Sequence, residues 1–125
     1  MTVIVPVHKS DPIVVPFAEA TEAEIAWVAG LYEGEGTTGT MGVNRAYVNV
    51  RIVIRELEVL ERVRQIVGCG GIYRRENDKR PCNSITHVWI LSKQAEVDGF
   101  IDTVWPWLSS RRKQQFYDVL EMGRQ

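Results

Sequence analysis

The sequence predicts an α+β domain of order α-β-β-α-β-β-α: a four-stranded antiparallel sheet with helices on one face and the other face open. Three observations carry this. A capping box, TEAE, opens an apolar helix at Thr21. The stretch RAYVNVRIVIRE alternates polar and apolar residues with a period of two. A second, amphipathic helix then precedes two strand-like runs joined by a polar turn, and short links of this kind place strands antiparallel.

With 125 residues the chain is long enough for one domain. Residues 1–20 are expected as an extended arm and residues 21–125 as the domain. A 45% hydrophobic and 25% charged composition is that of an ordinary globular protein and excludes disorder and collagen-like repeats. No apolar run approaches the roughly 18–20 residues that span a bilayer, so no membrane partner is expected. The start, MTVIVPVHKSDP, has no basic leader and is broken by Pro6, which makes a poor secretion signal and points to the cytoplasm. Cys69 and Cys82 lack metal-site spacing. They read as two reduced thiols, with a β-hairpin disulfide as the alternative.

In order along the chain, residues 1–20 carry loosely alternating valines and three prolines, which give an extended arm rather than a helix. From Thr21, with acidic residues in the first turn to suit the helix dipole, a helix runs to Gly34 and Gly36. A Thr/Gly-rich stretch leads into the long strand. There Arg45, Tyr47, Asn49, Arg51, Val53 and Arg55 share one face, and Ala46, Val48, Val50, Ile52 and Ile54 share the other. Leu57, Leu60, Val63, Ile66 and Val67 then recur at helical spacing until Gly68. GGIYRREN and NSITHVWILS are the next two strands, with Lys79 and Arg80 near the tip of their turn. His87 and Trp89 share a parity with Ile85 and Leu91 and are expected on the core side. Ala95–Leu108 and Arg111–Met122 are helical, with a bend at Pro106 and the two serines.

Net charge is −1, but it is unevenly spread. Residues 1–36 carry −5, residues 37–92 carry +4, and residues 93–125 are neutral. A basic middle third with an alternating polar strand face points to a polyanion, although a solvated face would give the same charges.

The first helix has three unusual features. Ala26, Gly30 and Gly34 recur every four residues, a small-residue stripe that lets another backbone approach, within this chain or from a second copy. Glu33 and Glu35 sit at the helix C-terminus, where acid is disfavoured by roughly 0.3–1 kcal/mol. Glycines bracket Glu35. A carboxylate beside a bare carbonyl suits a hard cation, and two solvated glutamates in a turn are the other reading.

Val28-Ala29-Gly30-Leu31-Tyr32-Glu33-Gly34-Glu35-Gly36 resembles the nine-residue signature of the LAGLIDADG homing endonucleases, with Trp27 and Thr37 flanking it. Pro106-Trp107-Leu108-Ser109-Ser110-Arg111-Arg112-Lys113-Gln114 is similar to the family's C-terminal basic segment. The resemblance covers about residues 21–122, and the family's element order is the one derived above.

The resemblance implies a homodimer, because single-motif members pack two signature helices together through Ala26, Gly30 and Gly34. It implies that Glu35 and the Gly34 carbonyl bind a divalent metal, Mg²⁺, with the partner copy supplying the second carboxylate. Glu33 matches a residue that is more often structural. Arg111 falls where the family commonly has a Lys beside the scissile phosphates; Arg stabilises phosphate but does not carry protons. Arg55 falls where a polar residue usually positions water. The open sheet face implies contacts to double-stranded DNA through Arg45, Tyr47, Asn49 and Arg51, with Arg74, Ser84 and Thr86 on the corresponding face of the second strand pair. Lys79 and Arg80 would hold phosphates, and Arg112 and Lys113 of the basic cluster would add to the contact.

The function so implied is a homodimeric, site-specific DNA endonuclease. It is a Mg²⁺-dependent phosphodiesterase that makes a double-strand cut at a long, nearly palindromic site, of the kind carried by mobile introns or inteins. The alternative is a catalytically weak or inactive DNA- or RNA-binding protein of the same fold, an intron maturase or a transcriptional regulator.

Overall fold

A computed structural model describes residues 2–8, 14–41, 47–77 and 84–123. Strand β1 (Thr2–His8) comes first, then helix α1 (Glu22–Glu35) and strands β2 (Gly36–Met41) and β3 (Tyr47–Ile54). Helix α2 (Leu57–Val67), strands β4 (Gly71–Asn77) and β5 (Ser84–Leu91), helix α3 (Gln94–Val104), a 3-10 turn (Trp105–Trp107) and helix α4 (Ser110–Gly123) follow. The five strands form one antiparallel sheet in the order β1-β4-β5-β3-β2.

This corrects the expected four strands to five. The added strand is the arm: residues 2–8 pair with the edge of β4, which would otherwise present bare N–H and C=O groups. Pro6 lacks an N–H, and a sheet edge tolerates that. The arm is also tied down further on. Val14 N–H donates to the buried Glu96 carboxylate at 2.9 Å, and Phe17 stacks on Phe100 with centroids 5.6 Å apart.

The predicted capping box forms in full, with the Glu24 N–H donating to the Thr21 hydroxyl and the Thr21 N–H to the Glu24 carboxylate. Helix α2 buries Leu60, Val63, Ile66 and Val67, its predicted face, and stops at Gly68 in the left-handed region. The expected helix 95–108 is shorter. Pro106 ends α3 at Val104 and tightens the next turn to 3-10. The core lies between the helices and one sheet face, built on Tyr32, Ile52, Leu60, Ile72, Trp89 and Phe100. Among the described residues, no helix is long and apolar enough to cross a membrane. Cys69 is a buried free thiol, and burial pushes it up to about 12; Cys82 lies outside the described residues.

Candidate nucleic-acid face and helix end

The strand register assigns every sheet residue to a face. Val50 pairs with Leu91, Ile52 with Trp89, and Trp89 with Ile72, all buried on the helix-covered side. The alternate set therefore lies on the open side: Thr37 opposite Arg51, Gly39 opposite Asn49, Val53 opposite Val88, Val88 opposite Tyr73, and Arg75 opposite Thr86. An apolar floor of Val53, Val88 and Tyr73 thus separates two polar flanks.

This register corrects one expectation. Arg74 pairs with His87 and falls on the helix-covered side, where its guanidinium meets Glu76 at 2.6 Å. Arg75 and Tyr73 face the open side instead, and sequence reasoning missed them. The signal was present, because Ile72 is an evident core residue and alternation from it puts Arg74 inside and Arg75 outside. Thr86 lies on the open face as expected, and His87 and Trp89 on the core side. The His87 Nδ1–H donates to the Arg55 carbonyl at 2.8 Å. Arg45, Lys79 and Arg80 lie outside the described residues, and Tyr47 is placed as the first residue of β3.

At the β2 end of the open face, Asn49 is only 6% exposed, and its Oδ1 has no hydrogen-bond partner among the described residues. The Nε of Arg51 is likewise buried and unpaired. Both side chains border Gly39, where a Cβ would stand 3.7 Å from Asn49 Oδ1 and from an Arg51 guanidinium nitrogen. Buried polar atoms left unpaired cost free energy, and a polar ligand on this face would satisfy them.

Beside this face lies the end of α1. Gly36 follows Glu35 directly and begins β2, so the last turn of the helix runs straight into the sheet. The Tyr32 hydroxyl, raised above its ordinary pKa by burial, hydrogen-bonds Thr38. Glu33 turns away from the turn and accepts the Ser109 N–H at 2.7 Å and the Ser109 hydroxyl at 2.9 Å. These bonds, with the Arg112 and Arg111 charges, hold its carboxyl below the usual range despite partial desolvation.

Arg112, an expected DNA contact, packs against the end of α1. It is 8% exposed and donates from Nε to the Glu33 carbonyl at 2.8 Å and from Nη1 to the Gly36 carbonyl at 2.6 Å. With Nε and Nη1 on the chain's own carbonyls, little of this guanidinium is exposed. Its neighbour Arg111 is exposed, with its nearest guanidinium nitrogen 3.6 Å from Glu33. The Lys113 ammonium lies 5.3 Å from the Trp105 ring centroid, and the Arg55 side chain is exposed beyond the end of β3.

Glu35 is exposed, and no side-chain partner holds it among the described residues. Among the described residues the Gly34 carbonyl beside it receives no side-chain donor. These two hard oxygen donors fit a divalent cation such as Mg²⁺. One copy supplies only one such carboxylate, and no cluster of three His, Cys, Asp or Glu occurs among the described residues. The stripe above them is open. Among the described residues a Cβ at Gly30 or Gly34 would meet nothing within 4 Å, and between Glu24 and Glu33 the helix carries no charged side chain.

The same architecture recurs in solved homing endonucleases. I-CvuI, solved on I-CreI target DNA in the presence of Mg, matches with a TM-score of 0.60 at 17% identity, over 81% of this chain and 66% of that one. I-TnaI matches with a TM-score of 0.57 at 20% identity, over 80% of this chain and 74% of that one. DNA-bound I-CeuI matches with a TM-score of 0.58 at 14% identity, over 89% of this chain and 56% of that one. The chain has the homing-endonuclease fold. It spans just under two thirds of the length of I-CvuI and a little over half that of I-CeuI. No family model and no curated protein matches it in sequence. Within the homing-endonuclease fold, the candidate site is the open end of α1 together with the polar sheet face beside it.

Proposed function

We propose that the chain acts as a homodimeric, site-specific endonuclease, making a Mg²⁺-dependent double-strand cut in DNA at a long, nearly palindromic site. One observation carries the reading: a carboxylate with no side-chain partner among the described residues, Glu35, stands at the end of a small-residue stripe open to the outside and beside a polar sheet face. A two-fold axis along Ala26, Gly30 and Gly34 would bring the partner copy's helix against this one and its acidic end beside Glu35. Glu35 and the Gly34 carbonyl of each copy would hold the metal. Bound there, Mg²⁺ would stabilise charge on the attacking and leaving oxygens of a phosphodiester and ease deprotonation of water.

The chain's own groups bind and orient the DNA. Arg51, Arg75, Thr86 and Asn49 offer base-edge donors and acceptors from a sheet that fits a major groove. Lys79, Arg80 and Lys113 would contact phosphates, as would Arg111, a permanent cation. Arg55 would steer water near the scissile bond.

A second reading, a binding protein without cleavage, is favoured by Arg111 itself: it stands where the resemblance places a Lys, and it leans on Glu33. Cleavage of a randomised-insert plasmid library with Mg²⁺, by the wild type and by Glu35→Gln, separates the two. Discrete sites cut by the wild type alone support the endonuclease. Enrichment of particular sequences in a pull-down without any cutting supports the second reading. A result with neither cutting nor binding overturns the endonuclease and a DNA-binding role alike, and leaves an RNA partner or a structural dimer.

A further inference from the structure

We propose that Arg112 is a positioning residue that fixes the Glu35 carboxylate for the metal; this rests on the endonuclease reading above. Any helix end leaves carbonyls unsatisfied and carries partial negative charge. At the end of α1 the mismatch is larger, because Glu33 and Glu35 add acid there and the last turn holds no basic residue of its own. Such a turn is expected to fray.

Arg112 reaches in from α4 and corrects this. Its Nε and Nη1 bond the carbonyls of Glu33 and Gly36, and these two carbonyls flank Gly34 and Glu35 in the chain. The Gln115 side chain accepts from the same Nη1 at 3.0 Å and sets the plane of the guanidinium. Glu33 completes the lock from the other side. Its carboxylate holds Ser109, whose hydroxyl also accepts the Arg112 N–H at 3.2 Å, so each helix end secures the other. The result is a rigid turn whose carbonyls at 33 and 36 are occupied while the Gly34 carbonyl and the Glu35 side chain stay available. A planar fork is needed to span two carbonyls; a Lys ammonium has no such geometry.

The test uses full-length protein bound to its cleavable duplex. Mn²⁺ binding is followed by electron paramagnetic resonance, and kcat and KM for the duplex are measured alongside it. The variants are Arg112→Lys, Arg112→Gln, Gln115→Ala and Val119→Ala, the last removing buried bulk from α4 away from the lock. Both Arg112 variants are expected to lose about 10–100-fold in Mn²⁺ affinity, the usual effect of disturbing residues behind a metal ligand, with a matching fall in kcat and little change in KM. Gln115→Ala should show a smaller loss of the same kind, and Val119→Ala none. If Arg112→Lys behaves like the wild type, or if KM rises in proportion as kcat falls, the positioning role is overturned while the endonuclease reading stands. If the wild type itself binds no Mn²⁺ and cuts nothing, both fall.

Discussion

Helices α1 and α2 both pack on the sheet, but only one of them is finished against water. Helix α2 buries Leu60, Val63 and Ile66 and turns Glu58, Glu61 and Gln65 outward. It ends on Gly68, whose N–H closes on the Arg64 carbonyl at 2.7 Å. Helix α1 buries Val28, Ala29 and Tyr32, yet its outer side shows Gly30 and Gly34, and its C-terminus carries two acids. A helix with one apolar stripe is complete as a scaffold. One that shows bare glycine backbone outward, with charges at the unfavourable end, leaves room for a second surface against it. On the proposed reading α1 is the working helix and α2 its support.

The largest expected effect tests how tightly the end of α1 is built. A Cβ on Gly36 would lie 2.3 Å from a ring carbon of Tyr32 and 2.4 Å from the Tyr32 carbonyl oxygen. Neither atom has room to retreat, since Tyr32 is fully buried. Gly36→Ala is expected to destabilise the fold by about 3 kcal/mol, at the upper end of ordinary overpacking. Gly68→Ala, at the end of α2, has open space around it and a φ of +88°. It should cost only about 1 kcal/mol, the strain of a left-handed residue. Urea unfolding of both variants checks the ranking, and equal losses would erase the difference between the two helix ends.

The next test concerns the open stripe. Gly30→Leu is expected to weaken the proposed dimer by about 1–3 kcal/mol through overpacking, whereas Glu61→Leu on the outer face of α2 leaves it unchanged. Sedimentation equilibrium reads both. Gly30→Ala sharpens the point, because its effects should have opposite signs. Among the described residues nothing beyond the helix's own backbone lies within 4 Å of the new methyl, so helix propensity should stabilise the separate protomer by about 1 kcal/mol while association weakens. Unfolding measured over a range of protein concentrations separates the two contributions. A protomer no more stable and a dimer no weaker would mean that the stripe is simply a solvated face.

What the sequence disclosed follows from the range of the interactions involved. The capping box at Thr21 and Glu24 and the apolar spacing of α2 are local patterns, and both form as read. The docking of residues 2–8 depends on an edge of β4 some seventy residues away in the chain, and nothing within the arm announces it. The finer errors concern neighbours. Arg111 and Arg112 are adjacent, and on a helix adjacent residues point about 100° apart. Arg112 lies four residues before Phe116 and seven before the buried Val119, so the apolar spacing of α4 itself turns Arg112 inward and Arg111 outward. Arg74 and Arg75 are the strand version of the same problem, where a slip of one residue exchanges the faces. Ile72 sets the phase of β4, as Phe116 and Val119 set that of α4, so both cases were legible from apolar residues two to seven positions away.

The smallest expected effect is a pH dependence that α2 should not share. Hydrogen bonds from Ser109, with the charges of Arg112 and Arg111, hold the Glu33 carboxyl below its ordinary value of 4.5 in the folded chain. The unfolded chain therefore binds the proton more readily. The contribution of Glu33 to stability is fully present above that ordinary value and is lost as the pH falls through the lower folded value. Glu33→Gln should thus cost up to about 1 kcal/mol at neutral pH, the usual worth of a side chain that caps a helix start. The gap to the wild type should close over the acid range below that ordinary value. Glu61→Gln on the exposed side of α2, a surface change, should stay within about 0.5 kcal/mol of the wild type throughout. Urea midpoints across this range decide it. A Glu33→Gln deficit that persists into acid would mean that the side chain acts through its shape and not its charge, leaving Arg112 alone to hold the end of α1.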